Sequence, residues 1–208
     1  MAAPRPHLTA VPSRLVVLIS GSGSNLQALL DRGPDLGGQI ALVVSDRHDA
    51  YGLERAAAAG VPAAVVSPKD HADRPAWEAA LGDAVAAAAP DLVVLAGFMR
   101  ILPAAFVSRW PVLNVHPSLL PAFPGARAVE EALAWGVKLT GCTVHFVDEK
   151  VDNGPIVAQE CIPVLPGDTP ESLHERIKAV EHRLLPECVT LFCRGRIAVD
   201  GRHVRIDK

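Results

Sequence analysis

The sequence predicts an α/β fold, a Rossmann-like and mostly parallel sheet with helices on both faces and an antiparallel extension in the C-terminal half. Three observations lead there. Continuous apolar runs of strand length recur through the first half, and each gives way to a helix-forming stretch. The first run ends in a Gly/Ser turn that opens a helix, as in a βαβ unit. Beyond residue 139 the spacing changes: two strand-like runs are separated by the nine residues 147–155 (VDEKVDNGP), which hold an Asp-Asn-Gly turn sequence, and they read as an antiparallel pair.

Residues 15–20 (LVVLIS) have no polar alternation, so both faces of that strand are buried. A helix over 26–30 follows the turn. Residues 40–45 (IALVVS) form the second strand, and 52–59 a helix with Gly60 just past its end. A short strand over 63–66 precedes an Ala-rich helix over 75–89, which Pro90 ends. Residues 91–96 (DLVVLA) make the fourth strand and 112–115 the fifth. Three prolines and a glycine within 117–125 make that segment a loop. A short helix over 130–135 and strands over 140–146 and 156–164 follow. Thr169 suits an N-cap with Pro170 at the first helical position. The helix behind it is expected to run to about Leu185, where Pro186 breaks or kinks it. Asp200-Gly201 between two strand-like runs predicts a closing hairpin. Residues 1–13 are rich in Pro and Ala and read as a disordered tail; 14–208 read as one domain.

The chain has 208 residues, half of them hydrophobic, and a formal charge of −3. That balance argues against a general nucleic-acid binder, which carries a basic surplus. No apolar run approaches the roughly 20 residues that cross a bilayer, and the N-terminus lacks a signal-peptide core. The expected location is therefore cytoplasmic, without membrane or nucleic-acid partners. Cys142, Cys161, Cys188 and Cys193 show no CxxC pairing and read as reduced, mostly buried thiols. Cys142, His145 and Asp152 are not at metal-ligand spacing, and no metal is expected.

Three groups of residues could carry chemistry. Gly21-Ser-Gly-Ser-Asn25 lies between the first strand and its helix, where free N–H groups meet anions. A phosphate monoester suits it; a third dinucleotide-fingerprint glycine is missing, and no Gly-Lys-Ser/Thr follows. The same loop also suits a tight turn with no ligand. Asn114 and His116 alternate onto one side of a strand end, pairing an amide donor with an imidazole. Such a pair serves acyl transfer, the amide on an oxyanion and the imidazole on a proton. Asp152 sits in a turn sequence, where a carboxylate commonly caps its own backbone.

Residues 17–27 (VLISGSGSNLQ), 95–102 (LAGFMRIL), 114–121 (NVHPSLLP) and 151–155 (VDNGP) occur in this order. Together they resemble the glycinamide ribonucleotide formyltransferase family over about residues 15–196. The resemblance implies a formyltransferase fold with a nucleotide-binding first half and a folate-binding second half. It implies formyl transfer from 10-formyltetrahydrofolate, as co-substrate, to the amine of 5-phosphoribosylglycinamide in purine synthesis. By position it makes Asn114, His116 and Asp152 the catalytic residues, and Gly23, Ser24, Asn25 and Glu181 the ribonucleotide contacts. It assigns Arg74, Met99, Arg100, Ile101, Leu102, Asn114, Val147, Asp148, Glu149, Lys150, Val151 and Asp152 to the folate. One departure falls in Pro124-Gly-Ala-Arg-Ala-Val129, where many members of the family carry histidines and this chain has Arg127. Methionyl-tRNA formyltransferases and formyltetrahydrofolate deformylases resemble the same motifs. They carry a further RNA-binding or regulatory domain that is not expected in this chain, and Pro-Ala-Phe-Pro-Gly125 favours the glycinamide enzymes. A non-catalytic nucleotide-binding module is the alternative of a different class.

Overall fold

A computed structural model describes residues 12–207. Seven strands form one sheet in the order β3-β2-β1-β4-β5-β6-β7. They are β1 (Ser13–Ile19), β2 (Gly38–Ser45), β3 (Ala63–Val65), β4 (Leu92–Leu95), β5 (Val112–His116), β6 (Leu139–Phe146) and β7 (Ile156–Pro163). The first five run parallel, while β6 pairs antiparallel with both β5 and β7. The expected mostly parallel sheet with an antiparallel extension is the fold observed. The disordered-tail expectation for residues 1–11 lies outside the described residues; Ser13, assigned to that tail, opens β1.

Strand β1 explains the two-layer build. Leu15, Val17 and Ile19 face one core cluster, and Val16 and Leu18 the other. The first cluster is covered by α1 (Ser24–Leu30), α2 (Gly52–Ala58), α5 (Ala128–Trp135) and α6 (Pro170–Cys193). The second is covered by α3 (Arg74–Ala87), through Trp77, Leu81 and Val85, and by Phe106 of α4 (Ala104–Val107). The four-residue α4 is absent from the sequence reading, because one helical turn leaves too few residues for a periodic pattern.

Helix α6 corrects one expectation. Thr169 caps it, with Pro170 following, but it passes through Pro186 and ends at Cys193. A proline in a helix interior costs about 3 kcal/mol or more. Leu184, Leu185, Pro186, Cys188 and Val189 are all buried, and each fully buried large apolar side chain returns about 1.5–3 kcal/mol. Packing on the sheet therefore outweighs the missing N–H donor. All four cysteines are free, and burial pushes the Cys142 and Cys188 thiols up to about 12. Strands β8 (Ile197–Asp200) and β9 (His203–Ile206) form the expected terminal hairpin.

The connectivity places the ligand crevice. The chain steps outward from β1 to β2 and β3, then returns to β4 on the other side of β1. Where strand order reverses, the loops at the carboxyl ends diverge and leave a cleft. The loops after β1 and β4 carry the Gly/Ser turn and residues 99–102, and His116 is the last residue of β5.

Candidate active site

The antiparallel register of β5 and β6 sets Asn114 opposite His145 and His116 opposite Thr143. The Asn114 amide nitrogen donates to Nε2 of His145 at 3.2 Å. Nδ1 of His145 lies 2.8 Å from the Phe146 carbonyl, which only a donor satisfies. The neutral ring thus carries its proton on Nδ1 and accepts at Nε2. Thr143 donates to the Ser118 carbonyl at 2.7 Å and accepts from Leu120 N–H and from Gln159. These bonds pin the proline-rich loop of residues 117–125 to β6 and β7.

Asp152 reaches into this array from the loop between β6 and β7. Its Oδ2 is 3.4 Å from His116 Nδ1, and its Oδ1 is 3.7 Å from His145 Nε2. The second contact is too long for a hydrogen bond. Gly125 N–H donates to Asp152 Oδ2 at 2.7 Å. The other nitrogen of His116, Nε2, lies 2.8 Å from the Phe123 carbonyl. Both ring nitrogens of His116 therefore face acceptors, and a neutral ring serves only one of them. The shorter contact takes the proton, leaving Nδ1 to gain one when the ring charges.

Electrostatics sharpen these roles. Burial holds His116 below the usual histidine value, although the Phe123 carbonyl and the Asp152 charge pull upward; His145 pushes it further down. Burial raises Asp152, but the contact with His145, the Gly125 N–H and the His116 charge outweigh it, so its net shift is downward. The pair is an ionised carboxylate beside an imidazole that is mainly neutral near pH 7. That arrangement can position a donor on a developing oxyanion and take up one proton.

The Gly/Ser turn lies beside the second set of residues. Gly23 adopts a left-handed φ of 68° as the N-cap of α1, and a β-carbon there would lie 2.5 Å from the Gly52 Cα. Only glycine fits this close crossing of two loops. Asn25 is buried and donates to Glu181 Oε2 at 2.9 Å, while its Oδ1 has no partner among the described residues. Glu181 is itself buried on α6. Burial raises it, partly offset by Asn25 and Lys178.

The residues assigned by resemblance to the folate also gather. Met99 is 71% exposed and Ile101 60%, unusual for apolar side chains beside a crevice. Val147 packs on the core cluster that contains Phe98 and Leu102, bringing the 147–152 loop to the same side. Arg74 donates to the Ile101 carbonyl at 3.2 Å and pairs with Glu78. Arg74, Arg100, Ile101, Trp77 and His71 line a cavity of about 270 Å³. Asp148 binds Lys150 N–H and Asn153, which shapes the turn that delivers Asp152. Arg127 is exposed, with Glu131 4.0 Å away.

His145 joins the site although the sequence pattern offers it only as a metal ligand at unsuitable spacing. Alternation along residues 140–146 already put Thr143 and His145 on one face. Pairing of β6 with β5 was the missing link. Among the described residues, no cluster of three potential metal ligands occurs.

The family model described as formyl transferase matches residues 13–189. The chain is 51% identical over 206 residues to the phosphoribosylglycinamide formyltransferase of Mycobacterium tuberculosis, covering 95% of each protein. It is 46% identical to the trifunctional purine biosynthetic protein adenosine-3 of Bos taurus, over 95% of this chain but only 20% of that one. A glycinamide ribonucleotide transformylase from Symbiobacterium toebii superposes with a TM-score of 0.93 at 50% identity, covering both chains fully.

Proposed function

The chain belongs to the formyl transferase family, and from that premise we propose that it moves a formyl group from 10-formyltetrahydrofolate to the amine of 5-phosphoribosylglycinamide in purine synthesis. The observation that carries this reading is the Asp152 carboxylate set between His116 and His145, opposite the Asn114 amide. The residues present suit both substrates. Exposed Met99, Ile101 and Val151 offer apolar surface to a pterin ring. Buried Glu181 and the spare oxygen of Asn25 offer acceptors to an amine next to the Gly/Ser turn, whose N–H groups suit a phosphate.

The folate supplies an electrophilic formyl carbon; attack by the amine turns its carbonyl oxygen into an oxyanion. Asn114 Nδ2 and His116 Nε2 are the donors for that oxygen, which means exchanging their resting partners, His145 and the Phe123 carbonyl. The Asp152–His116 pair takes the ammonium proton, directly or through water, with the Asp152 charge stabilising the imidazolium; collapse of the intermediate breaks the bond from the formyl carbon to the folate nitrogen, and that nitrogen receives the proton, releasing tetrahydrofolate. The Gly125 N–H keeps that carboxylate ionised. Glu181 holds the amine end of the acceptor. The reading is metal-free and cytoplasmic. Among the described residues, no helix is long and apolar enough to cross a membrane.

The test is turnover. The protein incubated with 10-formyltetrahydrofolate and glycinamide ribonucleotide should yield formylglycinamide ribonucleotide and tetrahydrofolate, with activity surviving dialysis against EDTA. No formylation of the ribonucleotide, with formylation of charged initiator tRNA instead, would refute it.

A further inference from the structure

Residues 99–102 have no helix or strand of their own, so whatever fixes their backbone must come from elsewhere in the fold. Three ties do so. Met99 N–H donates to Ser20 Oγ, at the end of β1, at 2.8 Å. Arg74, at the start of α3, donates to the Ile101 carbonyl. Between them Arg100 Nε donates to Asp46 Oδ2 at 2.6 Å, just past the end of β2.

The third tie differs from the other two in kind. The Asp46 side chain is 1% exposed, and its Oδ1 is buried with no partner among the described residues. Its backbone N–H donates to the Ile19 carbonyl, which anchors its main chain to β1. A buried carboxylate with one spare oxygen depends on its counter-charge, and among the described residues Arg100 alone forms an ion pair with it. Arg100 is about half exposed and would otherwise be free to move with its loop. An exposed ion pair opens readily, whereas one with a dry carboxylate holds its partner.

We propose that Asp46 is a positioning residue for the formyl donor: through Arg100 it fixes the backbone of residues 99–101 against the carboxyl ends of β1 and β2, touching neither substrate itself. This rests on the folate reading of that stretch. Loss of the tie releases the middle of the stretch while leaving the Gly/Ser turn, Glu181 and the His116–Asp152 pair in place. Its effect therefore falls on one substrate.

The experiment uses the full chain with Asp46→Asn, Arg100→Ala and the double substitution. KM for each substrate, kcat and the thermal midpoint are measured. Asp46→Asn should raise KM for 10-formyltetrahydrofolate by about tenfold and change that for glycinamide ribonucleotide by less than about twofold. Arg100→Ala should do the same, and the double variant should be no worse than Arg100→Ala alone, because the two act as one unit. An unchanged donor KM in folded Asp46→Asn, equal rises for both substrates, or additive effects would each overturn the role of Asp46. If Asp46→Asn does not fold, Arg100→Ala carries the test, and an unchanged donor KM there overturns it. Amide hydrogen exchange separates this from the folate reading. Donor-dependent protection of residues 99–102 in the parent, with no KM change in the variants, sinks Asp46 alone. No protection in the parent sinks the folate reading and this role with it.

Discussion

Phe123 and Asp152 contact opposite nitrogens of the same His116 ring, and both hold a left-handed backbone, with φ of 51° and 50°. Non-glycine residues there cost about 1–3 kcal/mol each and persist only where the surroundings over-determine them. Here the surroundings are each other. Gly125, two residues beyond Phe123, donates to Asp152, so one loop carries both the His116 acceptor and the Asp152 donor.

Asp152→Asn tests whether this carboxylate does chemistry or only shapes a turn. Asparagine tolerates a left-handed φ and can still accept from Gly125, so the thermal midpoint should stay close to that of the parent. Without the charge, kcat should fall by about 10²–10³, or about 3–4 kcal/mol. The double variant with His116→Asn should be little worse than either single one. Near-normal kcat in Asp152→Asn returns the residue to a turn cap.

The His116 shift gives a pH signature. An NMR titration should place its pKa below the ordinary 6.5, and lower still in Asp152→Asn, because the carboxylate pulls it up. Since the folded state resists protonating this ring, the unfolded chain gains protons first as pH drops below about 6.5. Stability from the neutral ring is thus present above that value and lost on acidification. The depressed Asp152 adds its loss only further down, below 3.8. A pKa above 6.5 in the parent would contradict the burial argument.

Glu181→Gln should separate binding from stability. Burial raises the Glu181 pKa, so its contribution is present below the unfolded value of 4.5 and is lost as pH rises through the folded value. The glutamine variant avoids that loss, and its advantage in denaturant midpoint should widen with pH. Removing a charged acceptor for the amine should raise KM for glycinamide ribonucleotide by about tenfold or more. A variant equally stable at all pH values would show that the carboxylate is not held in a dry site.

Gly23→Ala should damage the Gly/Ser turn. The left-handed φ alone costs about 1–2 kcal/mol for an L side chain, and the methyl would strike Gly52. A thermal midpoint lowered by at least about 4 °C is expected, together with a larger rise in KM for the ribonucleotide than for the folate. Parent-like behaviour would mean the two loops are not in contact.

The strands of the parallel half were legible in the sequence because burial on both faces removes polar alternation, as in Leu15 to Ile19. The motifs around Asn114, His116 and Asp152 were legible as residue types. What joins them was not. His145 becomes part of the site through the β5–β6 register, a long-range pairing that no local pattern encodes. No local pattern marks Asp46, and only its burial against Arg100 distinguishes it. Pro186 misled because its local rule is sound, but the sheet beneath α6 supplies apolar contacts that a single-segment reading does not count.

The β5–β6 register has a further consequence for inactivation. Asn114 and His145 meet because two strands are aligned, and a slip of β6 by one residue would turn His145 to the opposite face of the sheet while Asn114 stayed in place. Thermal loss of that half of the site should therefore be cooperative with melting of the whole sheet, with no earlier warning phase. Asp152 is delivered by a turn instead, so mild perturbants should detach the carboxylate first and leave a folded, spectroscopically intact but idle protein.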